Sequence, residues 1–251
     1  MIKKQLVKVY FAWKDRVWKH QNGFKLNYLM KKYKKSTTLV VFFSAFPRTG
    51  MSATYNYVQT TKGLSTDRLF ILDNFGHGKR GAYYLMEQGD RKLEEAVSDF
   101  LLEKMAIKTY EKIIFVGTSK GGYAAMYYGL KMNVDEIIAG APQYYLGDYL
   151  TDVPEKKPIF LNIVGNPPKF TKKELNDLLP QKIKGDTSRK TKFHIHYSSE
   201  EHTYEDHIKY LLNDLKLAQF EVYENIEKYK KHQEVALYFP QFLIQTLQKI
   251  I

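Results

Sequence analysis

KIIFVGTSKGGYAAMYYGLKM, residues 112–132, is the stretch on which the fold turns. Its first seven residues form an apolar run rich in β-branched and aromatic side chains, the composition of a strand buried on both faces. From Gly121 onward the stretch reads as a helix whose alanines and glycines permit close packing. Between the two lies Gly117-x-Ser119-x-Gly121, in a strand–turn–helix context. A serine at so sharp a turn is held in a strained backbone conformation with its hydroxyl projecting. Side chains at 117 and 121 would collide with the adjacent strand and helix, so glycine is needed at both. The helix that follows aims its free N–H groups and its dipole at the hydroxyl, which favours negative charge there. The plainer alternative is that Ser119 caps a helix after a buried strand.

Outward from this stretch, short apolar runs alternate with amphipathic ones. TTLVVFFSAF (37–46), RLFILDNF (68–75), DEIIAGAP (135–142), PIFLNIVG (158–165), KFHIHYS (192–198) and FEVYENI (220–226) read as strands. DRKLEEAVSDFLLEKM (90–105), TKKELNDLL (171–179), YEDHIKYLLNDLKLA (204–218) and EVALYFPQFLIQTLQKI (234–250) read as helices. Thr171 and Glu174 are spaced for a capping box, and Pro240 predicts a kink in the last helix. Near the start, residues 5–12 and 24–30 read as strands joined by a turn at Asn22-Gly23. The whole predicts an α/β-hydrolase fold: a mostly parallel central sheet with helices on both faces and an antiparallel N-terminal start. A single domain is expected over 1–251, with a basic, hairpin-like segment at 1–36 packed on or beside it.

Hydrophobic residues make up 44% of the chain and aromatic ones 15%, enough for a sizeable core. Cysteine is absent, which excludes disulfides, thiolate metal sites and a cysteine nucleophile. No signal peptide and no long apolar span is visible, so the cytoplasm is the default location. The net charge is +12, and residues 1–35 carry 11 of the 39 Lys and Arg against one acid, Asp15. So concentrated a basic face attracts an anion such as a lipid headgroup, a nucleotide-sugar phosphate or an acidic glycan, unless it is only a solubilising surface. No nucleic-acid-binding motif accompanies the charge, so nucleic acid is not expected as a partner.

The fold requires the chain order serine, acid, histidine. Among the histidines after Ser119, His194 and His196 fall within a strand and His207 within a helix, whereas His232 lies between the last strand and the closing helix, where the general base belongs. The acid should follow KFHIHYS, where Glu200, Glu201 and Asp206 are candidates. Asp206 falls in the next helix and Glu200 nearer the strand, which favours Glu201 while leaving the two glutamates open. The acid would orient His232 and stabilise its imidazolium. The oxyanion hole would use the N–H of Lys120 and that of Ala45 or Phe46, in the loop after TTLVVFFSAF. Arg48 and His77 are candidates for meeting substrate from loops at the site mouth. Tyr144, with Tyr123 and Tyr145, is a candidate for stacking on sugar rings, although such residues more often pack a core. This chemistry needs no cofactor and no metal.

GTSKGGYAAMYYGLK (117–131), AGAPQYYLGDYL (139–150), EHTYEDHI (201–208) and LDNFGHGKRGAYYL (72–85) resemble capsular polysaccharide biosynthesis proteins of the XcbB/CpsF type. They are also similar to the glycan O-acetyltransferase of bacterial accessory secretion systems. The resemblance spans about residues 37–251. It implies acyl or acetyl transfer on a surface glycan or its precursor, by a triad mapping onto Ser119, Glu201 and His232. Whether the acyl acceptor is water or a sugar hydroxyl is open.

Three other readings compete with this one. Gly76-x-Gly78-x-x-Gly81 matches a dinucleotide fingerprint, but KR-AYYL gives no helix start at the glycines, and Glu94 and Glu95 lie in a helix rather than at a strand end. His194-x-His196 and His202 with His207 suggest zinc, but they sit on different elements and HExxH is missing. The third is a non-catalytic hydrolase-fold scaffold, holding a capsule-assembly complex at an anionic membrane surface through the basic N-terminus.

Overall fold

The computed structural model describes residues 15–47, 51–186 and 190–251. The strand expected over 5–12 lies outside the described residues. Strand β3 (Thr38–Phe43) is buried along its whole length, as are the core positions of β5 (Lys112–Thr118) and β6 (Glu136–Gly140). These runs of Val, Ile and Phe have no polar face, so helices must cover both sides. With β1 (Arg16–Lys19), β2 (Lys25–Lys31), β4 (Asp67–Leu72), β7 (Lys192–Ser198) and β8 (Val222–Glu227), they form one eight-stranded sheet in the order β1-β2-β4-β3-β5-β6-β7-β8. Every pairing from β4 to β8 is parallel, and β1–β2 and β2–β4 are antiparallel. The antiparallel start expected from the sequence is therefore present, its turn running through His20–Phe24 around Asn22-Gly23, where Gly23 has φ 96°.

Strand alternation divides the core. Leu39, Val41 and Phe43 face one layer, which they share with α1 (Lys92–Met105) and α2 (Lys120–Met132). Val40 and Phe42 face the other, where Val235, Phe239, Leu243 and Leu247 of α7 (Val235–Ile250) supply an i, i+4 stripe. Pro240 lies within α7, which remains one continuous helical segment. The remaining helices are α3 (Leu146–Asp152), α4 (Lys157–Val164), α5 (Lys172–Gly185) and α6 (Lys209–Leu217). Helix α5 opens on the expected capping box, Glu174 N–H donating to Thr171 Oγ1 at 3.1 Å and Thr171 N–H to Glu174 Oε2 at 2.7 Å.

One element differs in kind. PIFLNIVG, expected as a strand, is helix α4. Pro158 stands in its first turn, where its fixed φ suits a helix and its missing N–H costs nothing. Ile159, Ile163 and Val164 are buried while Leu161 is half exposed, a helical rather than a strand pattern. The sheet position beside β6 is taken by β7, which pairs Ile137 with Phe193. Periodicity cannot separate a short apolar strand from a buried helix, and the proline was the signal available.

Candidate active site

The loops leaving the C-terminal ends of β3 to β8 converge on Ser119. The serine has φ 52° and ψ −122°, a left-sided conformation that non-glycine residues adopt only when the surroundings enforce it. The enforcement is visible at its two glycines. A Cβ on Gly117 would stand 2.1 Å from the Gly121 carbonyl oxygen, and one on Gly121 would stand 2.3 Å from that of Phe43. The end of β3 thus presses on the first turn of α2, which brings the Ser44–Phe46 loop beside the serine.

His232 Nε2 lies 2.9 Å from Ser119 Oγ, and His232 Nδ1 lies 3.0 Å from Glu201 Oε1. The carboxylate therefore fixes the proton on Nδ1, and Nε2 accepts from the serine hydroxyl. Gln143 Nε2 donates to Ser119 Oγ at 3.0 Å, leaving the hydroxyl proton directed at His232. The Tyr149 hydroxyl also lies against Ser119. Glu201 is buried, and its other oxygen accepts from Thr203 Oγ1 at 2.5 Å. Burial alone would raise its pKa. The hydrogen bond and charge of His232, with the bond from Thr203, more than offset this and hold the carboxyl below its usual range. Glu200 is exposed, and its backbone N–H is spent on Ser198 Oγ.

Ser198 explains how Glu201 and His232 meet. Its Oγ donates to the Tyr229 carbonyl at 2.6 Å and accepts the Tyr229 N–H at 2.9 Å. This staples the loop after β7, carrying Glu201, to the loop after β8, carrying His232. Sequence reasoning passed over Ser198, Gln143 and Tyr149, because nothing in their local patterns marks them.

On the opposite side of Ser119, the first helical N–H of α2, that of Lys120, has no intrahelical carbonyl partner, since Val116 four residues behind it lies in β5. The Ala45 N–H does not share this freedom: it donates to Asn56 Oδ1 at 2.8 Å. Of the two expected donors in that loop, the geometry therefore leaves Phe46. The Lys120 side chain turns inward, fully buried, and its Nζ pairs with Asp73 Oδ2 at 2.7 Å between the rings of Phe46 and Tyr84. Asp73 also accepts the Ala82 N–H. Gly81 closes over this pair with φ 117°, where a Cβ would stand 2.4 Å from Lys120 Nζ. The glycine series 76–81 is thus a loop with a 3-10 turn at His77–Lys79, built around a buried ion pair.

His77 is exposed in that loop, and Arg48 falls outside the described residues. Tyr144 is a correction. It is enclosed in the core at 0% exposure with its hydroxyl donating to Asp214, so its ring offers no face to a sugar; Tyr123 is equally buried. Tyr145 is partly exposed. The paired histidines have other partners, His194 with Glu136 and His196 with Asn225, and no group of three or more His, Asp or Glu suited to a metal ion occurs among the described residues.

A strained serine at a strand–helix turn, joined to a histidine and a buried carboxylate that follow it in the chain, is the site arrangement of an α/β-hydrolase. The family described as accessory Sec system GspB-transporter matches residues 16–237. The chain belongs to this family. An accessory Sec system protein of Streptococcus gordonii is 27% identical over 215 residues, which are 80% of this chain and 41% of that protein, so the chain spans about two-fifths of its curated relative. The capsule O-acetyltransferase of Neisseria meningitidis serogroup A, solved with CoA, superposes with TM-score 0.76 at 22% identity, covering 93% of this chain and 94% of that one. A chain of the glycosylation-associated Gap123 complex of Streptococcus agalactiae superposes with TM-score 0.74 at 21% identity, covering 93% of this family member and 46% of that chain.

A pH dependence of stability arises next to the site. His207 is buried under Tyr149, and burial lowers its pKa to about 4. The unfolded chain takes up this proton near pH 6.5 and the folded chain resists it, so stability is lost as pH falls from about 6.5 towards 4. Urea denaturation at pH 7 and pH 4.5 should show wild type losing about 2 kcal/mol more than His207→Gln. Equal losses in the two proteins would show that His207 is not the group responsible.

Proposed function

We propose that this chain is a serine acyltransferase that carries an acyl group, acetyl in the simplest case, through a Ser119 ester to a hydroxyl of a surface glycan or its precursor. The bonded series Ser119–His232–Glu201 is the observation that carries this reading. His232 Nε2 takes the Ser119 proton as Oγ attacks the acyl carbonyl. The negative charge that develops on the carbonyl oxygen falls between the N–H groups of Lys120 and Phe46. Collapse expels the donor's leaving group, which receives the proton from His232. An acceptor hydroxyl then gives its proton to His232, attacks the ester, and Ser119 leaves with its proton restored. Glu201 stays ionised and steadies the imidazolium throughout. A thioester donor is supported by the capsule O-acetyltransferase neighbour, which was solved with CoA.

Intact-mass spectrometry after treatment with a fluorophosphonate tests the activated serine. Wild type should gain one adduct that Ser119→Ala does not; an unlabelled, folded wild type would overturn the reading. Gln143→Leu, which removes a donor to Oγ, should slow acylation on the order of ten- to a hundredfold while leaving labelling at Ser119 detectable. An unchanged acylation rate would take Gln143 out of the machinery.

A second reading, a scaffold within a glycosylation or transport assembly, is favoured by the Streptococcus agalactiae complex. Its contacts would be protein partners or an anionic membrane surface, met by the basic N-terminal segment. Among the described residues no helix is long and apolar enough to cross a membrane.

A further inference from the structure

Glu201 is claimed from three sides. Its Oε1 receives His232 Nδ1 at 3.0 Å and its Oε2 receives Thr203 Oγ1 at 2.5 Å. A second imidazole comes to the first of these oxygens, His202 Nδ1 standing 3.2 Å from Oε1. Two rings whose centroids lie 6.2 Å apart therefore share one oxygen of one carboxylate, and the acyl-transfer steps use only His232. The rings differ in access. The Glu201 side chain is fully enclosed and that of His232 is 17% exposed, whereas that of His202 is 56% exposed. His202 can exchange a proton with solvent, and histidine is the side chain that does so between about pH 5 and 8.

The charges around His202 come from three elements. Across the adjoining cavity it faces Asp148 and Asp152 of α3 and, in the helical turn Tyr204–Ile208 that precedes α6, Glu205, Asp206 and His207. Lys172 pairs with both α3 aspartates and Lys209 with Glu205, which leaves Asp206 without a lysine among the described residues. Burial lowers the pKa of His207 to about 4, so above that pH it brings no charge to this wall. Tyr145, Tyr149 and Tyr210 complete the wall, and tyrosine is neutral over the range in which histidine titrates. In the loop after β8, Lys230 and Lys231 precede His232, and Glu234 accepts both of their backbone N–H groups.

A proton on His202 changes what Glu201 can do. The carboxylate orients His232 and steadies the imidazolium formed as Ser119 attacks. A cation at the same oxygen takes part of that negative charge for an ion pair of its own. Its field also opposes a second positive ring 6.2 Å away, and with partial screening by solvent this disfavours the imidazolium by about three- to tenfold. We propose that His202 is a positioning residue that acts through Glu201, its proton drawing the carboxylate from His232 and leaving His232 a weaker base that stays unprotonated to lower pH. The site then loses some maximum rate and keeps working as the medium acidifies. The effect on rate rests on the acyl-transfer reading; the contest for Glu201 does not.

The test compares wild type with His202→Gln, neutral at every pH used, and His202→Lys, cationic at every pH used, with circular dichroism to show that each is folded. Acylation by p-nitrophenyl acetate is followed from about pH 5 to about pH 8.5. Near pH 8, His202→Gln should match wild type within about twofold, and His202→Lys should be about three- to tenfold slower. The acid limb should lie highest in pH for His202→Gln and lowest for His202→Lys, about half to one unit apart, with wild type between them. The two variants should converge at low pH, where both start with His232 already protonated. NMR titration of the His232 ring should give the same order whether or not the protein acylates. Coincident limbs and titrations, or a His202→Lys rate reduced by one constant factor at every pH, would overturn the role of His202 and leave the serine chemistry standing. The expected NMR order in a wild type that does not acylate upholds the contest for Glu201 and removes the acyl-transfer reading.

Discussion

His232→Ala is expected to slow acylation of Ser119 by on the order of 10⁴- to 10⁶-fold. A serine hydroxyl is a weak nucleophile at neutral pH. Here the base placed to take its proton during attack is the imidazole nitrogen at 2.9 Å. Removing that nitrogen leaves the strained turn, the helix N-terminus and the Lys120 N–H in place, so some acceleration over water survives. Glu201→Gln should cost less than His232→Ala but still on the order of 10⁴-fold, because an amide can hold the wrong imidazole tautomer. Stopped-flow acylation with p-nitrophenyl acetate reads both variants, with circular dichroism to show that each is folded. A His232→Ala rate within tenfold of wild type would mean that Ser119 is not activated by His232. The chain would then be better read as a scaffold.

Asp73→Asn is expected to destabilise the fold by about 3–5 kcal/mol, a fall in Tm on the order of 10 °C. Asp73 and the Lys120 side chain are both fully enclosed, and burial already pushes the Lys120 ammonium below its usual pKa despite its partner. Without the carboxylate the ammonium has no counter-charge between Phe46 and Tyr84 and must give up its proton or admit water. The apolar double variant Asp73→Leu, Lys120→Met should recover much of the loss, since it removes both charges together. The Ala82 N–H, which Asp73 accepts, would still be orphaned, at a cost of about 1–3 kcal/mol. Chemical denaturation with both variants decides the matter. An Asp73→Asn protein within 1 kcal/mol of wild type would show the pair to be dispensable for stability.

Local pattern carried most of the elements, since each is decided by residues close in the chain. The two-faced apolar runs of β3, β5 and β6 read as buried strands because nothing in them could face water. The Thr171–Glu174 spacing read as a helix start because both hydrogen bonds are made within one turn. PIFLNIVG failed for the complementary reason: a short, mostly apolar run suits a strand or a buried helix equally, and its fate was settled by which element won the place beside β6. The serine was legible because a strained turn demands glycines two residues either side. The histidine followed from chain order.

The acid could only be narrowed to two adjacent glutamates in the sequence. Neighbouring residues in a loop point in different directions, and the direction depends on the staple from Ser198 to Tyr229. Gln143 and Asp73 left no mark for a similar reason, because each acts on a partner delivered by another strand of the sheet. The sequence by itself determined the candidate nucleophile, its strained turn and the layered α/β plan, all consequences of short-range sterics and burial. Only the tertiary structure decided which carboxylate meets His232, which of the Ala45 and Phe46 N–H groups is already taken, and which tyrosines are walled in. Those outcomes depend on side chains up to 113 residues apart in sequence, brought within hydrogen-bonding distance by the strand order.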